Sequence, residues 1–123
     1  MDGYFHKSGS PTITVALSGM MSMTPFPVEA VIDTGFTGFV SLPMMKAFPL
    51  GLVLMGSADY TMADGSIEPT LLALGWVKLG DEKYKGVFSL SKGNEVLLGM
   101  EFLKITQRQL IISAHHGIVR LTV

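Results

Sequence analysis

The most informative part of this sequence is residues 30–38, which read AVIDTGFTG. An apolar run here is followed by Asp33, which begins a glycine-rich turn and is the only charged residue between positions 30 and 45. A carboxylate that leaves water needs a proton, hydrogen-bond donors or a cation, so such positions are often functional. An Asp that caps a turn after a strand would give the same local pattern. Both interpretations remain open from these residues alone.

Short apolar segments separated by turn residues surround this stretch, and they favour an all-β fold over a helical one. Residues 12–17 alternate polar and apolar side chains, as a half-buried strand does. Residues 28–32 form a second predicted strand, which ends immediately before Asp33. Further strands are predicted at residues 52–62, 67–78, 83–90, 95–98, 109–113 and 118–123.

Two of these predicted strands form the arms of a long hairpin. Residues 52–62 and 67–78 are joined by the four residues Ala63, Asp64, Gly65 and Ser66. An Asp-Gly pair favours a tight turn with positive φ at both central residues, because that turn matches the twist of paired strands. The sequence therefore predicts a projecting hairpin whose tip lies at these four residues.

Helix is scarce in this sequence. Residues 99–105 contain good helix formers and follow a predicted strand, so a short C-terminal helix is expected there. The sequence also allows one helical turn at residues 42–48, with Pro43 near its start, where the missing N–H is harmless. The overall expectation is a mostly β fold with one short C-terminal helix.

Length and composition limit the classes of function. The 123 residues fit one domain spanning positions 1–123, and the net charge of −1 offers no basic surface for a nucleic-acid partner. The absence of cysteine excludes disulfides and a cysteine nucleophile. The longest uncharged run, residues 8–28, contains three prolines, so no membrane-spanning helix is expected. Without a signal-peptide pattern, we expect a cytoplasmic protein with no membrane partner.

Four segments together resemble the retropepsin-like aspartic proteases. Residues 31–35 (VIDTG) are similar to the active-site loop of that family, and the hairpin tipped by residues 63–66 is similar to its mobile flap. Residues 96–99 (VLLG), followed by the predicted helix, resemble its second apolar-apolar-Gly motif, and residues 109–123 resemble its final strands. The resemblance implies a closed β barrel that corresponds to half of a pepsin-type bilobal enzyme.

The resemblance also implies a catalytic mechanism. An aspartic protease needs two facing carboxylates, but this chain carries only one Asp-Thr-Gly sequence. The second acid would therefore come from a second copy of the chain, in a homodimer with Asp33 from each copy at the two-fold axis. In that family the Thr34 position makes a hydrogen bond across the axis and the Gly35 position permits the close turn. The surplus of apolar residues, 48% of the chain, is consistent with a subunit interface.

The expected substrate is an extended peptide or protein segment, and no metal or organic cofactor is required. By resemblance, Ala63, Asp64, Gly65 and Ser66 would close over this substrate. Its side chains are expected to enter apolar pockets, since few charges lie in the first half of the sequence. His6, His115 and His116 are not expected to form a metal site, because the first is far from the other two in sequence.

The sequence departs from the viral pattern at two positions. Viral members usually carry an acidic residue four positions after the catalytic Asp and an Arg after the second-motif Gly, and these positions are Thr37 and Met100 here. We therefore expect an apolar dimer contact, as in a cellular or prokaryotic type. An alternative function is a catalytically silent module for dimerisation or peptide binding. A further alternative is a regulated protease that is inactive until a partner promotes dimerisation.

Overall fold

A computed structural model describes residues 1–20 and 24–123, which form ten β-strands and two short α-helices. The strands are β1 (Tyr4–Phe5), β2 (Pro11–Gly19), β3 (Phe26–Ile32), β4 (Val40–Pro43), β5 (Val53–Thr61), β6 (Ile67–Leu79), β7 (Glu82–Ser91), β8 (Val96–Leu98), β9 (Gln109–Ser113) and β10 (Ile118–Thr122). The helices are α1 (Met44–Ala47), which leads into a 3-10 turn at Phe48–Leu50, and α2 (Met100–Thr106). The predicted mostly β fold class is confirmed.

Six strands close into a barrel. The main sheet has the order β1-β2-β3-β8-β4-β7-β6-β5, and an additional pairing of β2 with β6 joins its two sides. Closure leaves β2, β3, β8, β4, β7 and β6 with neighbours on both sides, which removes free edges from the barrel wall. Strands β5 and β6 extend from this wall as a long hairpin, and β9 and β10 form a separate two-stranded ribbon.

The barrel interior is filled by the apolar side chains that the strand pattern directs inward. In β2, Ile13, Val15 and Leu17 are buried, as the alternation of residues 12–17 predicts. The ring centroid of Phe39 lies 6.1 Å from that of Phe88 and 6.0 Å from that of Phe102. Because Phe102 belongs to α2, this cluster anchors the helix against the barrel.

The structure corrects the prediction for residues 42–48. Leu42 and Pro43 lie in β4, and the helix begins only at Met44. Strand β4 has four residues, which is too short for periodicity to reveal it, and it forms because β8 and β7 bind it on either side. Strand β1, with two residues, is also absent from the sequence-based prediction for the same reason.

The long hairpin is confirmed, but its turn differs from the predicted geometry. Only Gly65 has a positive φ, of 85°, whereas Asp64 does not. The Gly65 N–H donates to the Met62 carbonyl at 2.9 Å, and Met62 donates its own N–H to the Ser66 carbonyl at 2.7 Å. This loop has one residue more than the predicted two-residue turn, so a single left-handed position is enough to reverse the chain.

Candidate active site

Asp33 lies at the point where β3 leaves the barrel wall. Its backbone N–H donates to the Leu98 carbonyl at 2.9 Å, continuing the parallel pairing in which Ile32 lies opposite Leu98. Leu98 is also paired with Val40 of β4, so β8 runs between the strand that precedes the Asp33 loop and the strand that follows it. The loop is therefore held at both ends by one central strand.

Hydrogen bonds within the Asp33 loop account for an Asp at position 33. The Gly35 N–H donates to Asp33 Oδ1 at 2.9 Å, and the Phe36 N–H donates to the Asp33 carbonyl at 3.1 Å. The carboxylate thus caps the turn, as one of the two interpretations predicted. The Asp33 side chain is half-buried in the single chain and lines a cleft, so capping does not exclude a chemical role. Thr34 is exposed.

The segment that follows β8 forms hydrogen bonds with the same loop. The N–H groups of Gly99, Met100 and Glu101 donate to the carbonyls of residues 39, 36 and 38 at 3.1, 2.8 and 3.1 Å. A Cβ atom at Gly99 would overlap the carbonyl oxygens of Phe36 and Gly38. The apolar-apolar-Gly motif therefore has a physical function in this fold, because only a glycine lets the loop approach β8 and α2 this closely.

The cleft that contains Asp33 has a volume of about 600 Å³ and lies beneath the β5–β6 hairpin. Of the predicted site residues, Asp33, Gly35 and Ala63 line it. Thr34 is not among the lining residues, and Asp64, Gly65 and Ser66 lie at the outer tip of the hairpin, also outside the lining. The remaining lining residues are Phe36, Ser41, Tyr60, Thr61, Met62, Glu68, Thr70, Ser89, Leu90, Ser91, Lys92, Gly93 and Leu97.

The lining combines apolar side chains with polar groups that the sequence prediction did not name. Ser41 and Ser89 are register partners on β4 and β7, and both line the cleft although they are less than a tenth exposed. Glu68 and Lys92 add two charges, and both come from the second half of the chain. The expectation of apolar pockets rested on the few charges in the first half of the sequence, so it did not include these two residues.

The residues missed by the sequence prediction include Tyr60, Glu68, Ser89 and Lys92. One signal for Glu68 was present: residues 67–71 read IEPTL, so Glu68 and Thr70 share one face of the strand. No comparable local signal marks Ser89, because its position in the cleft depends on strand pairing.

A second groove, of about 560 Å³, is lined by Phe26, Leu50 and Glu95 among others, and it does not include Asp33.

Residues 1–20 and 24–123 contain neither a cluster of metal-ligating side chains nor a membrane-spanning helix. No three or more His, Asp or Glu side chains within these ranges lie close enough to share a metal ion. The rings of His115 and His116 pack edge to face at 4.8 Å, and the His116 Nδ1 lies 3.0 Å from the Ser113 hydroxyl. None of the helices in the described ranges is long and apolar enough to cross a membrane.

A retroviral enzyme has a similar structure. The protease of EIAV, solved in complex with the inhibitor HBY-793, superposes with a TM-score of 0.69 over 88% of this chain and 98% of the viral chain. The two sequences are 15% identical, so the similarity shows the fold alone. No protein-family model and no curated protein sequence matches this chain. The predicted retropepsin-like barrel is confirmed.

Proposed function

We propose that this protein is an aspartic endopeptidase that acts as a homodimer, with one Asp33 from each copy. The observation that carries the proposal is the position of Asp33, whose half-buried carboxylate lines a cleft under a long hairpin in a retropepsin-like fold. The single chain supplies one Asp-Thr-Gly loop, so the proposed reaction requires a second copy. Thr34 is exposed in the single chain and is therefore free to contact its counterpart across the axis.

In the proposed mechanism, the two Asp33 carboxyls share one proton. At a separation of about 3 Å and an effective dielectric constant of about 20, two ionised carboxylates would repel by roughly 5 kcal/mol, which favours the singly protonated pair. The ionised Asp33 accepts a proton from a water molecule, whose oxygen attacks the scissile carbonyl carbon. The partner's Asp33 donates its proton to the carbonyl oxygen.

The dimer contact is proposed to be apolar and to involve β9. Neither Thr37 nor Met100 carries the charge that viral members use at those positions. Within the described parts of the chain, β9 has a strand neighbour on one side only, β10, and Ile111 and Ile112 on β9 are exposed. An unpaired edge with apolar side chains can pair with a second copy of itself about a two-fold axis.

The decisive test compares Asp33→Asn with Asp81→Asn. An Asn at position 33 can still accept the Gly35 N–H through its carbonyl oxygen, so the loop should stay folded while the carboxylate is lost. Asp81 lies in the exposed β6–β7 turn outside the cleft and provides the matched control. Digestion of a peptide library at mildly acidic and neutral pH should show cleavage by the wild type and by Asp81→Asn. Asp33→Asn should be slower by about a thousandfold.

Circular dichroism and analytical ultracentrifugation of the same samples establish whether each variant is folded and dimeric. Equal cleavage by Asp33→Asn would contradict the mechanism. A wild-type protein that is dimeric but cleaves nothing would support the alternative of a silent dimerisation or peptide-binding module. Activity that appears only when dimerisation is forced, for example by fusion of two copies, would support the regulated protease.

A further inference from the structure

We propose that the cleft beside Asp33 contains a subsite for a positively charged substrate side chain, and that Glu68 is the residue that binds it. This inference rests on the proposed peptidase function in naming the ligand as a substrate. It assigns a specificity-determining role to a residue outside the Asp33 loop.

Glu68 lies on the face of the hairpin that is turned toward the cleft. It is the register partner of Tyr60 across β5 and β6, and Thr70 follows two positions later on the same strand. Side chains of directly paired residues, and of residues two apart, lie on one face of a sheet. Glu68 and Thr70 are half-buried, whereas Ile67, the neighbour on the opposite face, is exposed. All three residues of the inner face line the cleft.

The present partner of Glu68 is easily replaced. Lys92 Nζ lies 3.7 Å from Glu68 Oε1, and the Lys92 side chain is 88% exposed whereas that of Glu68 is 39% exposed. An ion pair this exposed contributes little to stability, because water and salt screen it. If a substrate Lys or Arg approached Glu68, Lys92 could move into solvent and leave no buried charge unpaired. A substrate cation can therefore replace Lys92 as the ion-pair partner of Glu68.

The surroundings of Glu68 also suit a cation. Tyr60, Thr70 and Ser89 contribute hydroxyl groups to the cleft lining, and each can accept a hydrogen bond from an ammonium or guanidinium group. Asp33 adds a further acidic group to the same cleft. An acidic substrate side chain would meet Lys92 as the single cationic group among the described residues that line the cleft, and Glu68 and Asp33 would repel it. The charge balance of the cleft thus favours a basic residue over an acidic one.

The experiment separates binding from cleavage. An octapeptide library with one fixed position at a time is incubated with the Asp33→Asn variant, which should bind but not cleave, and retained peptides are counted. We expect Arg and Lys to be enriched over Leu and Glu by about tenfold at one position of the peptide. Adding Glu68→Gln should remove this enrichment, and adding Glu68→Lys should shift the preference to Glu.

Two further variants serve as controls. Lys92→Ala removes the resident competitor and should raise the enrichment for Arg and Lys. Glu82→Gln removes an acidic partner from an ion pair outside the cleft, with Arg108 at 3.5 Å, and should change nothing. The preference should also weaken as the NaCl concentration rises, because screening reduces the attraction between charges.

The outcomes distinguish this inference from the peptidase proposal. Cleavage by the wild type with no basic preference, or with a preference that survives Glu68→Gln, would overturn the subsite and leave the peptidase standing. Binding of basic peptides that depends on Glu68, without cleavage by the wild type, would support the subsite and contradict the peptidase. A library with no enrichment of Arg or Lys at any position would also overturn the subsite.

Discussion

The Tyr60 hydroxyl of β5 lies 3.2 Å from the Ser89 hydroxyl of β7, within hydrogen-bonding distance. This contact joins the projecting hairpin to the floor of the cleft that holds Asp33. Ser89 is in turn the register partner of Ser41 on β4. The contact therefore connects the hairpin to two neighbouring strands of the barrel wall, β7 and β4. The position of the hairpin over the cleft therefore depends in part on one hydroxyl pair.

Tyr60→Phe should loosen the hairpin. The change removes one partner of the Tyr60–Ser89 hydrogen bond, whose net contribution is about 0.5–1.5 kcal/mol. Amide hydrogen exchange at residues 57–61 should accelerate by about two- to tenfold. Tyr84→Phe, which removes a hydroxyl that contacts Glu82 outside the cleft, should leave these amides unchanged. Equal exchange in wild type and Tyr60→Phe would show that the contact does not hold the hairpin.

Gly99→Ala should destabilise the fold. A methyl group at position 99 would overlap the carbonyl oxygens of Phe36 and Gly38, so the Asp33 loop would have to shift. We expect the free energy of unfolding to fall by about 1–3 kcal/mol in urea denaturation. Gly93→Ala is the matched control, because the nearest atom to a Cβ there is the Ser91 hydroxyl at 3.6 Å. Two variants of equal stability would contradict the proposed role of close packing.

The hairpin tip should depend on pH through Asp64. The hydroxyl and then the backbone N–H of Ser66 donate to Asp64 Oδ1 at 2.6 and 2.9 Å, and these bonds hold the pKa of the carboxyl below its ordinary value of 3.8. A lowered pKa in the folded state means that the stabilisation is present above pH 3.8 and is lost as the pH falls through the lowered value.

This pH dependence is measurable at a single amide. The NMR shift of the Ser66 N–H should titrate between about pH 5 and pH 2, with a midpoint below 3.8. Asp64→Asn keeps an acceptor oxygen but has no titrating proton, so its Ser66 amide should not titrate in this range. A wild-type midpoint at or above 3.8 would show that the two hydrogen bonds do not form in solution.

The proposed dimer should depend on the apolar side chains of β9. Glu in place of Ile111 or Ile112 puts a charge on the strand edge, where pairing with a second copy would bury it. Analytical ultracentrifugation should show the dimer Kd raised by at least about tenfold for each variant. Met45→Glu changes an apolar side chain that is 80% exposed on α1 and should leave the Kd unchanged. Dimers unaffected by either β9 variant would place the interface elsewhere.

Much of the fold follows from local pattern in the sequence. Alternation of polar and apolar residues predicts β2, and the long apolar arms on either side of Asp64-Gly65 predict the β5–β6 hairpin, both of which are confirmed. The start of α2 after the VLLG motif is also confirmed. These features could be predicted because each depends on periodicity or turn chemistry over a few neighbouring residues. Strand β4 could not, since it has four residues and depends on its neighbours β7 and β8.

The sequence by itself determined that Asp33 would end a buried strand and open a glycine-rich turn, because both properties lie in residues 30–38. Only the tertiary structure decided what surrounds that carboxylate. The register of β5, β6 and β7 brings Tyr60, Glu68 and Ser89 to the cleft, and Lys92 follows directly after β7. Register is fixed by packing between strands that are distant in sequence. A local sequence pattern indicates which side chains lie on the same face of one strand. Which side chains meet across the cleft depends on how the strands close into the barrel.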